Sequence, residues 1–424
     1  MTSIAMTAPN PRPNPRPNPR RPLARLAAPA LALAAALLAA LPATRADAQA
    51  APLETRARAA LVVDATTGAT LLDKNADMRI PPASMSKLMT LNMVFEALEE
   101  DRLTLDDEFR VSAAAFRKEG STMYLREKDR VRVEDLLRGV IVQSGNDACV
   151  ALAEGIAGTE AAFAAAMNVR AEELGLTGSH FANSHGLPHP EHYMTPRDLV
   201  TLGMHIINDF PQHYHYFSET AFEWDGVRQP NRNPLLGVVE GADGMKTGHT
   251  EEAGYGLVGS VARDGRRIVF MFGGLDSKAE RAEEAERIAS WAFRQFSNER
   301  LYKAGDLLGV ADVWIGDRPQ VALTVAEDLL VTLPVGIREK LVAKLNWEGP
   351  IEAPVAKGQP IATLTLAAPG IEPITAPVVA AESVGRGGYI TRLKAAAGLL
   401  LRDVMGAATG GGDAPAPAEA GAEG

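Results

Sequence analysis

The spacing of apolar residues divides the chain into two folded regions. Residues 55–300 alternate short β-like runs with long Ala/Leu patterns of helical spacing, which predicts a mixed α/β unit. From about residue 305 to 385 the pattern changes to short Val/Ile/Leu runs separated by Pro and Gly, which is typical of a small all-β domain. We therefore expect one domain over residues 51–300 and a second over residues 305–386.

Two further segments follow the β pattern. Residues 387–405 return to helical spacing, with apolar side chains on one side of the helix and charged ones on the other. Residues 386–405 carry four cations and one acid, so the helix is basic. It is either packed on the β domain or lies in a membrane interface as an amphipathic anchor, which is the interpretation we favour. Residues 406–424 are rich in Gly and Ala, and we expect a disordered tail.

The N-terminal segment has the pattern of a secretory signal. A Pro/Asn/Arg-rich start is followed by 19 uncharged residues at positions 26–44, of which ten are Ala, and then by small-x-small triplets at residues 46–50. The alternative is a retained anchor, which needs about 20 strongly apolar residues. This stretch is Ala-rich and interrupted by Pro29 and Pro42. We therefore predict a signal peptide over residues 1–50, cleaved near residues 48–50.

Composition and charge narrow the class of protein. Of 424 residues, 46% are hydrophobic and 23% are charged, which is typical of a folded protein. Residues 1–50 carry six Arg and one Asp, so residues 51–424 hold a net charge of −15. Such a chain repels phosphate backbones, and no nucleic-acid partner is expected. The single cysteine, Cys149, excludes an intramolecular disulfide, and we interpret it as a buried small residue of a helix.

The first chemical signal is a serine followed three residues later by a lysine. Ser84 and Lys87 open an apolar helical pattern that runs to Leu98, so that the amine would lie against the hydroxyl. A serine activated in this way needs no histidine. The motif alone is common and usually marks a solvated helix start. Here the helix is apolar on nearly all sides, which predicts that the lysine is buried.

Two further motifs follow in order. Ser-Gly-Asn occupies residues 144–146, and Lys-Thr-Gly occupies residues 246–248. Strand-like runs on either side of Asp264-Gly265 predict a hairpin, which places Lys-Thr-Gly on the first strand of an antiparallel meander. Gly248 would leave the edge of that strand bare, so a substrate peptide could lie alongside it. The three motifs in this order are far more specific than any one of them.

Together these motifs resemble those of the penicillin-recognising serine enzymes. Ser-Gly-Asn-Asp-Ala at residues 144–148 and Asp-Gly-Met-Lys-Thr-Gly-His-Thr at residues 243–250 are similar to the low-molecular-mass penicillin-binding proteins that act as D-alanyl-D-alanine carboxypeptidases. The resemblance extends from about Ala57 to Met405. It implies an α/β (α+β) catalytic domain of the serine β-lactamase/transpeptidase type with an antiparallel sheet, then a small all-β domain and a C-terminal amphipathic helix.

The resemblance also implies roles for individual residues. Ser84 would be the nucleophile, Lys87 its base, and Ser144 the group that passes a proton to the leaving amine. The remaining residues would bind substrate: an orienting amide, a polarising cation, the edge strand with its threonine and backbone oxyanion donor, and a second carboxylate contact. They are Asn146, Lys246, Thr247, Gly248, His249 and Arg281.

Lys87 can act as a base only in its neutral form. An unperturbed lysine has a pKa of about 10.4 and is almost wholly charged at pH 7. Burial and a second cation, Lys246, would both favour the neutral amine of Lys87. A shift of about three units corresponds to roughly 4 kcal/mol, which a buried site with a like-charge neighbour can supply.

The resemblance implies that the protein is a periplasmic serine carboxypeptidase that removes the terminal D-alanine of peptidoglycan stem peptides. Such an enzyme would act in cell-wall biogenesis and in the control of cell shape. β-Lactams would be covalent inhibitors, the C-terminal helix would contact the outer face of the inner membrane, and neither cofactor nor metal is implied. A β-lactamase and a DD-endopeptidase remain as alternatives, and so does a non-catalytic wall-binding module. We find no deacylating Glu-x-x-x-Asn segment between residues 150 and 243, which argues against a class A β-lactamase.

Two clusters have simpler interpretations. Four histidines within residues 180–192 could form the zinc site of a metallo-carboxypeptidase, but the Gly and Pro residues among them indicate a loop, and His-Glu-x-x-His is absent. We expect a surface loop. The acidic run of residues 280–286 is expected to be a solvated helix face.

Overall fold

The computed structural model covers the two predicted domains and little of the predicted termini. Most of residues 1–50 and 387–405, and all of residues 406–424, lie outside the described residues. The signal peptide, the amphipathic helix and the tail therefore stay predictions. The structure describes residues 2–7, 53–390, 393 and 397.

The chain forms two compact units that divide between Asn298 and Glu299, with residues 2–7 in the second unit. Strands and helices are numbered along the chain. The strands are β1 Thr2–Thr7, β2 Ala59–Asp64, β3 Ala69–Lys74, β4 Glu108–Arg110, β5 Arg130–Arg132, β6 Ala221–Trp224, β7 Val227–Pro230, β8 Ala242–Thr250, β9 Gly254–Arg263, β10 Arg266–Leu275, β11 Phe296–Tyr302, β12 Leu307–Trp314, β13 Gln320–Thr324, β14 Leu329–Pro334, β15 Val342–Trp347, β16 Ile351–Glu352, β17 Pro360–Ala367 and β18 Ile374–Ala380. The helices are α1 Lys87–Glu99, α2 Ala113–Phe116, α3 Val133–Ile141, α4 Asn146–Ala157, α5 Glu160–Glu173, α6 Pro196–Asp209, α7 Pro211–Tyr214 and α8 Lys278–Gln295.

A five-stranded antiparallel sheet is the frame of the first unit. Its strand order is β3-β2-β10-β9-β8, so β8 is an edge strand. Asp264 and Gly265 connect β9 to β10 with φ values of 49° and 77°, which is the type I′ geometry expected of an Asp-Gly hairpin. The predicted meander is confirmed, and it places Lys-Thr-Gly at an open sheet edge.

The sheet is buried on both faces. Along β10, Val269 and Met271 belong to the large core that includes α1, α3, α4 and α6, whereas Phe270 and Phe272 belong to a second core that includes α8. Alternate residues of one strand face opposite sides of a sheet, so this pattern places helices on each face. The fold is the mixed helix and sheet arrangement that the sequence predicts.

Helix α1 runs through the large core. Leu88, Leu91 and Phe95 are fully buried, and the preceding turn, Ala83–Ser86, is a short 3₁₀ helix. Ser84 therefore lies on a 3₁₀ turn before α1, and the α-helix begins at Lys87. The rigid packing of α1 fixes the position of Lys87 relative to that turn.

The second unit is an all-β domain with its own core. Its main sheet has the order β1-β15-β17-β18-β13-β12-β16, antiparallel except for the pair β12 and β16. Residues of β12 alternate between exposed and buried, as expected for a strand with one solvated face. The small β domain predicted from the Val/Ile/Leu runs is confirmed.

Length and hydropathy decide whether a helix of the described residues can cross a bilayer. No single helix there is long and apolar enough to cross a bilayer; α4 and α5 meet the length and composition criteria only as a pair bent by 81°.

Candidate active site

Ser84 and Lys87 form the centre of the site. Lys87 Nζ lies 2.7 Å from Ser84 Oγ, and the lysine side chain is 0% exposed. Ala83, immediately before the serine, has a φ of 48°, in the left-handed region that residues with a Cβ seldom adopt. The turn thus holds the hydroxyl in a strained but fixed position against the amine.

The environment of Lys87 favours the neutral amine. Burial lowers the pKa of Lys87 to about 8; Cys149 and Asp147 oppose this shift, and Arg232 adds to it. Lys87 Nζ also lies 2.5 Å from the carbonyl oxygen of His185. An amine with a pKa near 8 is about one-tenth neutral at pH 7, several hundredfold more than an ordinary lysine, and this neutral fraction can act as a general base.

The second motif meets the third directly. Ser144 has a φ of 61° in the connection between α3 and α4, and its Oγ accepts a hydrogen bond of 2.9 Å from Lys246 Nζ. Burial lowers the pKa of Lys246 well below its ordinary value, and the charge of Lys87 lowers it further. Two serines and two lysines are therefore linked in pairs within one buried site.

Asn146 is the first residue of α4, and only one of the two polar atoms of its side-chain amide has a hydrogen-bond partner among the described residues. Its Nδ2 donates to the carbonyl oxygen of Glu119 at 2.7 Å. Its Oδ1 is buried and has no hydrogen-bond partner among the described residues. A buried acceptor without a donor is costly, so this oxygen suits a substrate N–H group.

The third motif lies on β8 at the sheet edge. A Cβ on Gly248 would lie 2.9 Å from the carbonyl oxygen of Pro82, so glycine allows β8 to approach the nucleophile turn closely. Thr247 is buried on this strand, and the exposed His249 ring stacks on Tyr255 with centroids 3.8 Å apart. The edge position leaves backbone groups of β8 open to an extended peptide.

Arg281 is placed at the cleft by α8. It is only 7% exposed, and its Nη2 donates to the carbonyl oxygen of Arg232 at 3.4 Å. The expectation of a solvated acidic face is wrong for part of this helix, because Glu284 is 4% exposed and pairs with Arg287 at 2.7 Å. Glu284 and Arg281 are buried because α8 packs on the sheet.

These groups line one cleft of about 500 Å³. Its wall carries three cationic side chains, and none of the described residues that line it is an Asp or a Glu. All the predicted site residues except Lys87, Asn146 and Lys246 are among its lining residues, and those three lie buried behind it. The lining residues are Ser84, Ser121, Ser144, Pro230, Asn231, Arg232, Thr247, Gly248, His249, Tyr255, Lys278 and Arg281.

Sequence reasoning missed six of the lining residues, and of these Ser121 and Arg232 contact each other. The Arg232 guanidinium donates to Ser121 Oγ. The loop that carries Ser121 is fixed by Asp147, a buried carboxylate that accepts hydrogen bonds from the backbone N–H groups of Met123 and Leu125 at 3.0–3.1 Å. The only signal was the position of Asp147 directly after Asn146, inside a motif already identified.

The histidine segment is the loop that the sequence predicted, but only residues 188–191 of it are exposed. His185 and His192 are 3% and 4% exposed, because the loop folds back onto α1 and α5. Among the described residues no group of three His, Cys, Asp or Glu is arranged to hold a metal ion. The loop contributes a backbone carbonyl to Lys87 instead.

Cys149 is buried on α4, as the sequence predicted. Burial raises the pKa of its thiol to about 12, with Lys87 and Lys246 opposing the shift. A thiol that keeps its proton is a weak nucleophile, so Cys149 does not compete with Ser84.

Comparison with known families gives two matches that follow the division into units. A model described as D-alanyl-D-alanine carboxypeptidase matches residues 45–273. A second, described as the C-terminal domain of penicillin-binding protein 5, matches residues 296–386.

Individual proteins are similar over most of the chain. The D-alanyl-D-alanine carboxypeptidase DacC of Escherichia coli (strain K12) is 37% identical over 345 residues, which are 80% of this chain and 86% of that protein. The crystal structure of penicillin binding protein 5 from Haemophilus influenzae superposes with a TM-score of 0.72 at 35% identity, covering 79% of this chain and 99% of that one. The ampicillin-bound penicillin-binding protein D2 of Listeria monocytogenes gives a TM-score of 0.53 at 31% identity, covering 57% of this chain and 99% of that one.

Proposed function

The chain belongs to the D-alanyl-D-alanine carboxypeptidase family, and from this membership and the cleft geometry we propose that Ser84 removes the terminal D-alanine of peptidoglycan stem peptides through an acyl-enzyme. The chain is thus a hydrolase of the serine type. The observation that carries the assignment of the nucleophile is the 2.7 Å separation of Lys87 Nζ and Ser84 Oγ in a site where the lysine is fully buried.

Acylation uses the two serine–lysine pairs in sequence. Neutral Lys87 takes the proton of Ser84 Oγ as that oxygen attacks the carbonyl carbon of the penultimate D-alanine. The negative charge that develops on the carbonyl oxygen is stabilised by the backbone N–H groups of Ser84 and His249. The C–N bond then breaks as the proton taken by Lys87 is passed through Ser144, whose Oγ accepts a hydrogen bond from Lys246, to the leaving amine. Water afterwards hydrolyses the ester, which releases the shortened peptide and restores the Ser84 hydroxyl.

The positive charge of the cleft favours binding of the C-terminal end of a peptide. Thr247 and Arg281 bind the terminal carboxylate, and Arg232 adds a second guanidinium to the same wall. Three cations, with no acid among the described lining residues, favour a substrate with a free carboxylate over the interior of a chain. This preference distinguishes a carboxypeptidase from an endopeptidase.

β-Lactams acylate Ser84 by the same reaction. The lactam carbonyl offers the same kind of electrophile to Ser84, and the carboxylate of the antibiotic suits the cationic wall. Attack on the lactam opens the ring and leaves a penicilloyl ester on Ser84, so penicillin acts as a covalent inhibitor.

Product analysis tests the proposed function. Incubation with a stem pentapeptide should yield the tetrapeptide and free D-alanine, and a cross-linked peptide without a pentapeptide end should be left intact. The Ser84→Ala variant is the control, because it keeps the fold and loses the nucleophile. Cleavage of the cross-link without release of D-alanine would assign an endopeptidase instead.

For the location of the enzyme we propose the periplasm, at the outer face of the inner membrane. The signal pattern of residues 1–50 supports export, and the basic amphipathic pattern of residues 387–405 supports an interfacial helix. At the start of that segment, Tyr389, Ile390 and Leu393 are 77%, 69% and 57% exposed. Apolar side chains exposed beside a cationic segment are suited to an anionic lipid surface.

A further inference from the structure

Glu160 is a partly buried carboxylate outside the catalytic cleft. It is the first residue of α5, and its Oε1 accepts hydrogen bonds from the Oγ and the backbone N–H of Ser184 at 2.7 and 3.2 Å. Burial raises the pKa of Glu160, but the contacts with His185 and Ser184 outweigh that effect and leave the pKa at about 2. The group is therefore an anion under all conditions in which the enzyme works.

The ring of His185 faces this carboxylate. His185 Nδ1 accepts a hydrogen bond of 3.1 Å from the backbone N–H of Leu187, so in the neutral ring the proton is on Nε2. His185 Nε2 lies 3.1 Å from Glu160 Oε1. Burial lowers the pKa of His185, with Glu160 opposing the shift. The Leu187 N–H thus fixes the tautomer. His185 Nε2 has no well-aligned hydrogen-bond partner among the described residues, and the negative charge of Glu160 beside it favours this orientation of the ring.

The same loop supplies an acceptor to the catalytic lysine. The carbonyl oxygen of His185 lies 2.5 Å from Lys87 Nζ, and Thr90 Oγ1 donates to the carbonyl oxygen of Ser184 at 2.6 Å. Gly186 has a φ of 83°, and a Cβ there would lie 2.1 Å from the carbonyl oxygen of Ala83. The loop therefore packs directly on the turn that carries Ser84, with Glu160 on its other side.

We propose that Glu160 and His185 are a positioning pair that holds the His185 carbonyl against Lys87 and so aims the amine at Ser84. This role rests on the proposed function, in which Lys87 is the base. A neutral amine has one lone pair, which must point at the serine proton. An N–H bond directed at a fixed carbonyl turns the lone pair toward Ser84 Oγ.

Loss of the pair has a defined effect on the pH dependence. If the loop relaxes, water reaches Lys87 and the charged amine becomes more stable, so acylation should require a higher pH. The groups that face Lys87 electrostatically are Cys149, Asp147, Arg232, Lys246, His185 and His192, and those that face Glu160 are His185, Lys118 and Cys149. None of these groups other than the pair itself changes in the variants below.

The experiment measures acylation by benzylpenicillin between pH 6 and pH 10. Glu160→Ala and His185→Ala should each slow acylation by up to about 100-fold, as a misplaced catalytic group does, and should move the rising limb to higher pH. Glu160→Gln keeps an acceptor for Ser184, so its rate should stay within about threefold of the parent. The double variant should be no slower than the slower single one, because the two residues act as a unit.

Glu172→Ala is the matched control, because Glu172 is an exposed residue of the same helix. The positioning role would be overturned if the rising limb of the pH–rate profile stayed at the same pH in both Glu160→Ala and His185→Ala. This holds whether or not their melting temperatures change. If Glu160→Ala does not fold, His185→Ala decides the question alone, since it keeps the backbone carbonyl. Failure of the parent and of Glu172→Ala to form the adduct would count against the proposed function and not against this pair.

Discussion

Lys246 Nζ and Ser144 Oγ lie 2.9 Å apart although 102 residues separate them in the chain. The contact joins the connection before α4 to the edge strand β8, and it repeats the serine–lysine pairing of Ser84 and Lys87. Because the lysine donates to Ser144 Oγ, the hydroxyl proton of Ser144 is free to point at the leaving amine. The pair is therefore arranged to give a proton, whereas the first pair is arranged to take one.

Replacement of Lys87 by Arg should abolish most of the activity. A guanidinium stays protonated and cannot accept the proton of Ser84, and general base catalysis contributes about 10²- to 10⁴-fold. The fall in kcat/KM for a D-Ala-D-Ala peptide measures the effect. Lys246→Arg keeps the cation and should be milder; a Lys87→Arg enzyme that retains most of its kcat would show that another group is the base.

The rate of acylation by the parent enzyme should rise with pH through about 8. Below that value Lys87 is charged and cannot take a proton, and above it the amine is neutral, so the sign follows from the lowered pKa. Stopped-flow acylation at a series of pH values measures the midpoint. A rate that falls as pH increases from 6 to 9 would contradict the assignment of the base.

The penicilloyl adduct should hydrolyse slowly. None of the described residues that line the cleft is a carboxylate, so no Asp or Glu is placed there to activate water against the ester. The decay of the adduct mass after removal of free penicillin gives the rate. Turnover of penicillin at many molecules per second would indicate a β-lactamase instead.

The Arg281→Ala variant should bind its substrate more weakly through the carboxylate alone. A hydrogen bond to a charged group contributes about 1.5–3 kcal/mol, so KM for the free acid should rise by roughly 10- to 100-fold. A peptide that ends in D-Ala carboxamide is the control, because it lacks the charge. Equal effects on acid and amide would show that Arg281 stabilises α8 and does not contact substrate.

Sequence patterns predicted most of the fold and the chemistry of the three motifs, because those depend on local spacing. They could not place Glu160 or His185, since the burial of a Gly/Pro-rich loop is decided by packing on distant helices. Arg232 was missed for a related reason: it lies outside every motif, and its contacts at the cleft are tertiary contacts with Ser121 and Arg281. Side chains that reach a site from elements distant in the sequence can therefore be identified only from the three-dimensional structure.

A variant that ends at Gly388 should separate membrane attachment from catalysis. It keeps Arg386, which pairs with Gly316, and removes the basic amphipathic segment. Burial of its apolar side chains in the interface would be lost, at roughly 1 kcal/mol each when partly buried. The variant should hydrolyse soluble peptide normally and no longer sediment with anionic vesicles. Equal sedimentation of both forms would remove the anchor proposal, and loss of folding would favour a helix packed on the β domain.

Intact-mass measurement of the enzyme after incubation with benzylpenicillin tests the central claim, that Ser84 is an acyl-accepting nucleophile activated by Lys87. One penicilloyl group should add to the parent enzyme, peptide mapping should place it on Ser84, and Ser84→Ala should remain unmodified. An adduct of the same mass on the Ser84→Ala variant would contradict the account.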